Sequence, residues 1–363
     1  MDLLKDPIAL KFLRRGAVMM AQTGHEWWDT KRDLEEILFP RLAEKRIRTI
    51  QVARRGLLKS DGVIVLDDTD QPSVCYTRTT KAKPYYTLGR EMLTGGTIPQ
   101  VAGPHVCSQR SKGVPLDETR ETLVTKGGRY LHLIGFEVSE ASRITKDKKE
   151  DTDTRCGWYP LAEKGKDRAA CLASIKAETG RDWKKSACTF CPFAINGRKG
   201  QATTLDRFEE WPDEAALPLM MEEVAIRLNP TQGLAGMNRK TRLGIRLRDL
   251  MAARPKLAPA LAAHEARMDQ STWALYQVQR IRSGSNARRI LATRTGTRTE
   301  MEAAVRRVGA RAETETLAGI TRAWWTRRDD TEEFYVAAPF VVREKARPGF
   351  KERWHKTTTS QAA

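Results

Sequence analysis

Apolar residues in the first part of the chain alternate between helical and strand-like spacing. Asp6 and Pro7 predict a helix start, because aspartate is favoured as an N-cap and proline at the first helical position. Apolar residues then recur at helical spacing at Ile8, Leu10 and Leu13. The pattern predicts a short helix before the first strand.

Continuous apolar runs of strand length follow this helix. They cover residues 17–22, 49–53, 63–66 and 131–135, with an amphipathic helical segment at residues 34–43. Such runs are typical of strands buried on both faces of a parallel sheet, and their alternation with helices favours an α/β fold. We predict a doubly wound, mostly parallel sheet over residues 1–198. Residues 71–115, rich in Pro, Gly, Thr and Lys, are expected to form loops around a cleft.

The second part of the chain has a different pattern. Residues 205–228 predict a helix with Glu222 and Glu223 on its outer face. We predict a basic helical segment over residues 199–270, a small α+β module over residues 271–345 and a flexible polar tail over residues 346–363. The module is expected to contain strands 273–281, 320–326 and 334–342 and a helix at residues 300–308.

Composition and charge narrow the class of protein. The 363 residues are 40% hydrophobic and 30% charged, which is typical of a globular protein with a full-sized core. No apolar run approaches the length of a membrane span, and the first residues resemble neither a signal nor a transit peptide, so we expect a cytoplasmic protein without a membrane partner. The formal net charge of +18 favours an anionic partner, namely RNA, DNA or a ribonucleoprotein.

The positive charge is strongly one-sided between residues 234 and 298. Arg239, Arg242 and Arg246 recur at helical spacing and predict a ridge that contacts phosphates. Residues 282–298 predict a flexible basic loop, which adds Arg282, Arg288 and Arg289 to the expected nucleic-acid contacts. A solvated arginine-rich face without a partner is the alternative interpretation.

Cysteines supply the candidate metal ligands. Cys188 and Cys191 stand three positions apart, where one turn of backbone can direct both sulfurs to one metal ion. Cys107 and Cys171 would complete a four-thiolate site, for which zinc and an iron–sulfur cluster both remain open. A redox pair or a chance pattern is the alternative. Cys75 and Cys156 are interpreted as ordinary cysteines.

Two pairs near residue 26 allow two interpretations each. His25 and Glu26 could act as a general-base pair, or Glu26 could stabilise a helix N-terminus. Trp27 and Trp28 could stack on a base, although aromatic residues at the start of an amphipathic helix more often pack in the core.

Taken in order, these motifs resemble the phosphoadenosine phosphosulfate reductase family of the PP-loop, or adenine nucleotide alpha hydrolase, superfamily. The resemblance covers roughly half of the chain, over residues 5–195. It rests on Thr23-Gly-His-Glu with Thr30, Cys107 with Arg110, Lys112, Pro115 and Leu116, Gly135-Phe-Glu with Glu140 and Arg143, Tyr159-Pro-Leu, and Lys-Ser-Ala-Cys-Thr-Phe-Cys-Pro-Phe from Lys185 to Phe193.

The resemblance implies a cofactor and a set of site residues. Family members on phages, plasmids and DNA-modification or CRISPR-associated islands carry an iron–sulfur cluster, which implies a [4Fe-4S] cluster on Cys107, Cys171, Cys188 and Cys191, with zinc as the alternative. ATP or another adenine nucleotide is the implied ligand of the cleft. The implied nucleotide-side and anion-side residues are Lys5, Asp6, Arg110, Lys112, Glu140 and Arg143.

The chain also departs from the family pattern. The family's phosphate loop is Ser-Gly-Gly-x-Asp-Ser, whereas Leu3 and Leu4 replace both glycines here and Pro7 removes an N–H and the serine hydroxyl. Either ATP cleavage has been lost while the frame was kept, or the natural chain starts upstream of Met1. Residues 351–363 lack the cysteine that sulfonucleotide reduction needs, so assimilatory sulfate reduction is not expected.

Two functions follow from these observations. The first is an iron–sulfur protein that binds a nucleotide or sulfur donor and works on or with nucleic acid, in modification or as a defence or CRISPR accessory. If it is an enzyme, it would be a nucleotide-dependent transferase or oxidoreductase. The second is a non-enzymatic accessory that binds nucleic acid or a ribonucleoprotein and has a degenerate nucleotide site.

Overall fold

The chain folds into two compact units. A computed structural model describes residues 2–100, 105–124, 128–238, 240–241, 243–282, 287–344, 346 and 348–359. Unit 1 comprises Met1–Leu88 and His105–Cys188, and unit 2 comprises Gly89–Pro104 and Thr189–Ala363. Residues 89–104 therefore separate the two segments of unit 1 in the sequence but belong to unit 2.

Short elements make up the chain as far as Thr179. In order they are α1 (Asp2–Lys5), α2 (Pro7–Arg15), β1 (Val18–Ala21), α3 (Trp28–Asp33), α4 (Phe39–Glu44), β2 (Thr49–Arg54), β3 (Val63–Thr69), α5 (Leu88–Thr94), α6 (Val106–Ser108), α7 (Val114–Leu123), β4 (Tyr130–Leu133), α8 (Ala141–Asp147), β5 (Arg155–Trp158), α9 (Pro160–Glu163) and α10 (Arg168–Thr179). Turns of π-helix at Leu34–Leu38 and Gln109–Gly113 join α3 to α4 and α6 to α7. From Gly89 onward, α5 belongs to unit 2.

The predicted start of the first long helix is confirmed. Asp6 is the N-cap of α2, and its Oδ1 accepts hydrogen bonds from the N–H groups of Ile8, at 2.9 Å, and Ala9, at 3.1 Å. Pro7 occupies the first helical position, where its missing N–H costs nothing. The carboxylate therefore satisfies two of the donors that a helix N-terminus leaves without partners.

The sheets of unit 1 are mixed. β1 pairs in parallel with β2, β2 pairs antiparallel with β3, and β4 and β5 form a separate parallel pair. The predicted strands are thus present, and the α/β class is confirmed, but these pairings do not confirm a doubly wound sheet. The connection from β2 to β3 is residues 55–62. Because a parallel crossover needs a dozen or more residues, so short a connection favours the antiparallel pairing observed.

Unit 2 combines helices with one larger sheet. Beyond α5 its elements are α11 (Pro192–Ile195), α12 (Gly197–Glu210), α13 (Ala216–Leu228), α14 (Leu247–Ala252), α15 (Ala258–Gln270), β6 (Trp273–Ile281), β7 (Ala287–Gly296), α16 (Arg298–Gly309), β8 (Glu313–Leu317), β9 (Ile320–Arg327), β10 (Thr331–Pro339) and α17 (Phe350–Thr359). The strand order is β7-β6-β10-β9-β8, and every neighbouring pair is antiparallel.

A helix covers each face of this sheet. Tyr276 and Phe334 pack with Val224 and Ile226 of α13, together with their buried neighbours. The opposite face packs on α16, where Trp273 and Leu275 join Met301, Ala304 and Val305. Successive residues of β6 point to opposite faces, so this strand must be apolar on both sides. That explains why residues 273–281 could be predicted from the sequence.

Three predictions about the second part of the chain are wrong. Residues 287–296 form strand β7 instead of a flexible basic loop, because Ala287 and Ile290 are buried against β6. The tail predicted over residues 346–363 contains helix α17, whose Phe350 is buried and stacks on Trp354. Glu222 and Glu223 are buried instead of lying on an outer face.

Candidate functional site

A glycine with a positive φ fixes the loop that follows β1. Gly24 has a φ of +93°, in the region that side chains rarely adopt. A Cβ atom at this position would lie 2.4 Å from Cγ2 of Thr87. The carbonyl of Thr23 also accepts a hydrogen bond from the N–H of Leu88 at 3.0 Å. The loop from Thr23 to Glu26 is thereby held against residues 87 and 88.

This loop is joined directly to the first cysteine of the Cys-x-x-Cys motif. Oγ1 of Thr23 lies 3.1 Å from Sγ of Cys188, and both residues are buried. Glu26 and Cys188 pair as an isolated antiparallel bridge, and the hydroxyl of Ser186 donates to Oε2 of Glu26 at 3.2 Å. The carboxyl end of β1 and the thiol of Cys188 therefore form one site, which we call the Thr23–Cys188 site.

His25 is a half-buried imidazole beside this site. Burial, and then the positive charge of Arg78, lower the pKa of His25 to about 4. Its Nε2 lies 3.3 Å from Oγ1 of Thr87. A general base works best when its pKa is close to the working pH. A neutral His25 at pH 7 therefore suits a positioning role better than proton transfer.

Arg78 is a functional candidate that the sequence did not single out. Its Nη1 donates to the carbonyl of Glu26 at 2.5 Å, and its guanidinium lies 4.9 Å from the ring centroid of Trp28. Trp27 is buried, as expected of a core residue, whereas Trp28 is 38% exposed. Arg78 comes from the segment predicted to form loops around a cleft, but nothing in its neighbours distinguished it from other cations there.

Gln22, which precedes Thr23, belongs to a buried network of polar side chains. It is buried, and its Nε2 donates to Oε1 of Gln51 at 2.9 Å and contacts Sγ of Cys75 at 3.5 Å. Gln51 in turn accepts a hydrogen bond from the N–H of Tyr76 at 3.0 Å. A neutral amide satisfies this buried network, whereas a carboxylate would place an uncompensated charge there.

The four predicted metal ligands occupy different elements. Cys107 lies in α6, Cys171 lies in α10, and Cys191 precedes α11 as its N-cap. Cys188 is buried and the other three are half-buried. Within the described residues, no three Cys, His, Asp or Glu side chains form a group that could hold a metal ion. Thiolates are suitable ligands for an iron–sulfur cluster or zinc, so the residue type fits such a site although the four side chains are not gathered around one point.

Lys5 and Asp6 line an open depression in unit 1. Pro7, Ile8 and Lys164 complete its lining. Lys5 forms an ion pair with Glu178 at 3.0 Å, and Lys164 forms one with Asp6. The side-chain bond to Lys164 lowers the pKa of the Asp6 carboxyl. Two lysines therefore lie at the depression, although each already has an acidic neighbour.

The other predicted anion-binding residues fall in two places. Arg110 and Lys112 lie on the π-helical turn Gln109–Gly113, which packs against β1 and β2. Arg143 forms an ion pair with Glu140 and lies over the ring of Phe136, 4.4 Å from its centroid. Glu140 and Arg143 are thus neighbours, and Arg110 and Lys112 adjoin the sheet that contains β1. Their role in binding a nucleotide or an anion stays a prediction.

Of the predicted ridge of arginines, the structure describes only Arg246, so the ridge stays a prediction. Arg239 and Arg242 lie outside the described residues. Arg246 is the N-cap of α14 instead of a position within a helix, and its Nη2 donates to buried Glu223 at 2.9 Å. The acid lies more than twenty positions away in the sequence, so local charge counting could not find it.

The remaining predicted nucleic-acid contacts also have partners within unit 2. Arg288 donates to the carbonyl of Gly95 at 2.8 Å, and burial lowers its pKa. Arg289 lies 3.9 Å from Glu344, and Arg282 forms an ion pair with Glu332 at 2.6 Å. Arg282 remains half exposed, while Arg288 and Arg289 lie largely within the protein.

A second polar network in unit 1 was also not foreseen. Arg155 is buried and donates to Asp147 at 2.7 Å, to Asp151 at 2.5 Å and to the carbonyl of Asp147. Its Nη2 lies 2.8 Å from Nδ1 of His132, and Tyr159 donates to Asp147 at 2.6 Å. His132 therefore has a hydrogen-bond partner within this network.

Comparison with known proteins identifies no relative. No protein family, no curated protein and no solved structure matches this chain. Among the described residues, no helix has the length and apolar character needed to cross a membrane.

Proposed function

We propose that the protein is an iron–sulfur protein of the phosphoadenosine phosphosulfate reductase type that works on or with nucleic acid. Unit 1 would be a doubly wound PP-loop domain that binds an adenine nucleotide or a sulfur-donor anion. The observation that carries the proposal is the contact between Thr23 and Cys188. It joins a motif cysteine to the carboxyl end of a parallel strand, which is where α/β sheets bind their ligands.

The proposal assigns Cys107, Cys171, Cys188 and Cys191 to a [4Fe-4S] cluster. Four thiols in a chain with few cysteines, two of them in a Cys-x-x-Cys motif, support this assignment. A cluster bound by these thiols would supply electron transfer or sulfur handling. The residues around Cys188 would orient its thiol through the hydroxyl of Thr23 and exclude water by their burial.

Metal analysis of anaerobically purified protein tests this assignment. We expect iron, sulfide and a broad absorbance near 400 nm, as thiolate-ligated iron gives. All three should be lost in the Cys188→Ser/Cys191→Ser variant and retained in Cys156→Ser, which changes an exposed cysteine. Zinc in place of iron would contradict the cluster, and protein without metal would contradict any thiolate site.

Arg110 and Lys112 are the proposed anion-side cations. Their position on a π-helical turn supports the assignment, because such turns are frequent at functional sites. We expect Arg110→Ala/Lys112→Ala to weaken adenine-nucleotide binding at least tenfold in calorimetric titration, since each charge-assisted bond contributes about 1.5 kcal/mol or more. Lys146→Ala/Lys149→Ala removes the same charge from exposed positions and should leave the affinity unchanged. Equal losses in both variants would contradict a specific site.

One observation favours the non-enzymatic accessory as a second candidate. The phosphate loop of the resembled family presents N–H groups at a helix N-terminus. Here the carboxylate of Asp6 already accepts hydrogen bonds from the N–H groups of Ile8 and Ala9. A phosphate at this position would have to displace a like-charged group, which opposes ATP cleavage there.

ATP turnover by the metal-loaded protein separates the two candidates. Turnover that is abolished by Arg143→Ala and retained in Lys149→Ala would support an enzyme. Absence of turnover from protein with its full metal content would support the accessory.

The nucleic-acid part of the proposal rests on cations that remain outside ion pairs in unit 2. Arg306, Arg307 and Arg311 are exposed at the end of α16, and no ion pair joins them to an acid within the described part of the chain. We expect Arg306→Ala/Arg307→Ala to weaken binding of a DNA or RNA oligonucleotide and to reduce the salt dependence by about 1 to 2 released counterions. Arg246→Gln should leave that salt dependence unchanged because Arg246 already forms an ion pair with Glu223. If Arg246→Gln reduced the salt dependence and Arg306→Ala/Arg307→Ala did not, the result would support the ridge that the sequence predicted.

A further inference from the structure

Unit 2 contains a cavity that none of the proposed activities uses. Its volume is about 290 Å³, and it lies beside the turn between β8 and β9. Apolar side chains form much of its wall, namely Ile226, Leu243, Ile245 and Leu317. Arg246 and Arg322 also line it, so two arginines lie beside the apolar wall. This volume is close to the lower end of the range for small-molecule sites.

Arg322 is completely buried and uses part of its donor set to end a helix. Its Nε donates to the carbonyl of Arg227 at 3.2 Å, and its Nη2 donates to the carbonyl of Ile226 at 2.6 Å. Both carbonyls belong to the last turn of α13, where carbonyls lack the usual partner four residues later. The carbonyl of Ile226 also accepts a hydrogen bond from the N–H of Asn229 at 3.2 Å. Across the residues that the structure describes, Nη1 of Arg322 has no hydrogen-bond partner. The capping role therefore leaves one donor of a buried cation without an acceptor.

The charges around the cavity favour an anion. Burial lowers the pKa of Arg322 to about 10, so the side chain is positively charged at neutral pH. Arg280 and Arg227 lower this pKa further, and Glu315 raises it, but the carboxylate of Glu315 already accepts bonds from Trp324 and Arg327.

Arg246 also contributes a donor to the cavity lining. Its Nη2 is bound to Glu223, while its Nε has no partner among the described residues. Asp249 is the acid in the lining. Two buried guanidinium nitrogens of lining residues, Nε of Arg246 and Nη1 of Arg322, therefore have no acceptor within the described part of the chain.

We propose that this cavity binds the oxyanion group of a small molecule, a carboxylate or a phosphate, with Arg322 as its principal donor and the apolar wall against the rest of the ligand. An anion would give the remaining nitrogen of Arg322 a charge-assisted hydrogen bond, and a buried donor without a partner is costly to the fold. The site lies within unit 2 and does not depend on the cluster or the nucleotide site of unit 1.

Thermal unfolding with two simple probes tests the proposal. Inorganic phosphate and valerate each carry an oxyanion, and valerate adds an apolar tail of suitable size. We expect a saturable rise in Tm with at least one of them, above that caused by sodium chloride at the same ionic strength. A response to phosphate alone assigns a phosphate ligand, and a response to valerate alone assigns a carboxylate. A Tm that follows ionic strength for both probes overturns the proposal.

Two charge variants test the site without changing Arg322. Asn238 lines the cavity, and its Oδ1 accepts from the N–H groups of Lys240 and Thr241, a turn that aspartate can also hold. Asn238→Asp should raise the Kd of the bound probe about fivefold, and Asp249→Asn should lower it by a similar factor. Unchanged affinity in both variants overturns the proposal even if the chain binds anions elsewhere.

Substitution of Arg322 itself gives the direct measurement. Arg322→Lys keeps the charge but removes the forked donor set, so we expect at least tenfold weaker probe binding in protein that still unfolds cooperatively. If this variant does not fold, the two charge variants decide the question. A folded variant with the affinity of the unmodified chain overturns the assignment of Arg322.

Discussion

Substitution of two glycines in unit 1 distinguishes the cost of a positive φ from the cost of steric crowding. Gly24 and Gly62 both have positive φ, but a Cβ at Gly24 would collide with Thr87, whereas nothing lies within 4 Å of one at Gly62. We expect Gly62→Ala to lower the free energy of unfolding by about 1 kcal/mol and Gly24→Ala by about 3 kcal/mol or more. Urea denaturation of both variants measures the difference. Equal costs would show that the loop after β1 moves to make room.

Burial of Glu222 makes the stability of unit 2 depend on pH. Its carboxylate accepts N–H bonds from Leu234, at 2.9 Å, and Leu247, at 2.8 Å, and the charge of Arg246 also favours ionisation. Desolvation nevertheless raises the pKa of Glu222 to about 7, from 4.5. The folded chain therefore binds this proton more tightly than the unfolded chain, and the resulting stability is complete below pH 4.5 and is lost as the pH rises to about 7.

Comparison with Glu222→Gln isolates this proton. The other titrating groups are common to both proteins, so their contributions cancel in the difference. Between pH 4.5 and 8 the free energy of unfolding of the unmodified chain should fall relative to the variant, by on the order of 3 kcal/mol. A difference that is constant across this range would contradict the raised pKa. Chemical denaturation at several pH values provides the measurement.

The sequence singled out the main residues of the Thr23–Cys188 site but could not predict which of them contact one another. Thr23, Glu26 and Cys188 stood in motifs, whereas Arg78 and Thr87 came from a segment without periodicity. Local patterns contain no information about a pair such as Thr23 and Cys188, which are separated by 165 positions. The same limit explains the wrong placement of Glu223, whose partner Arg246 follows 23 positions later.

Among the elements, α16 offers a clear test of local stabilisation. Thr297 and Glu300 form a reciprocal capping box, in which the N–H of Thr297 donates to Glu300 at 2.8 Å and Oγ1 of Thr297 accepts from the N–H of Glu300. Thr297→Ala should lower the free energy of unfolding by about 1 kcal/mol, and Thr297→Ser should retain most of the stability. Thermal or urea unfolding distinguishes them. Similar losses in both variants would mean that packing of Met301 and Val305, not the cap, sets the stability of this helix.

Elements were predictable where both their start and their apolar pattern were local. Helix α2 has its cap and proline in adjacent positions, and β6 is apolar on both faces. Strand β7 was missed because arginines surround Ile290, and its burial depends on β6 as a partner. Helix α17 was missed for a similar reason, since Phe350 and Trp354 pack against Ile281 and Ala287.

At the scale of a whole unit, cysteine reactivity measures how completely unit 1 is folded. Cys75 is buried, and desolvation raises the pKa of its thiol to about 12, whereas Cys156 is exposed. Since the thiolate is the reactive form, iodoacetamide at pH 8 should label Cys156 at least 100-fold faster than Cys75. In urea the two rates should converge. Peptide mass spectrometry follows both sites, and rapid labelling of Cys75 in buffer would contradict the buried core of unit 1.

The division of the chain has a consequence for the order of synthesis. Residues just after Gly89 leave the ribosome between the two parts of unit 1, yet their partners are much later in the chain: Gly95 accepts from Arg288, and the carbonyl of Thr94 accepts from the N–H of Arg343. Unit 1 can be completed once Cys188 has emerged. Counted from its own synthesis, the segment after Gly89 waits for about 200 residues until Arg288 has been added. At a ribosomal rate of about 5 to 20 residues per second, that delay is on the order of ten seconds or more. During this time the segment after Gly89 lacks its partners and is accessible to chaperones.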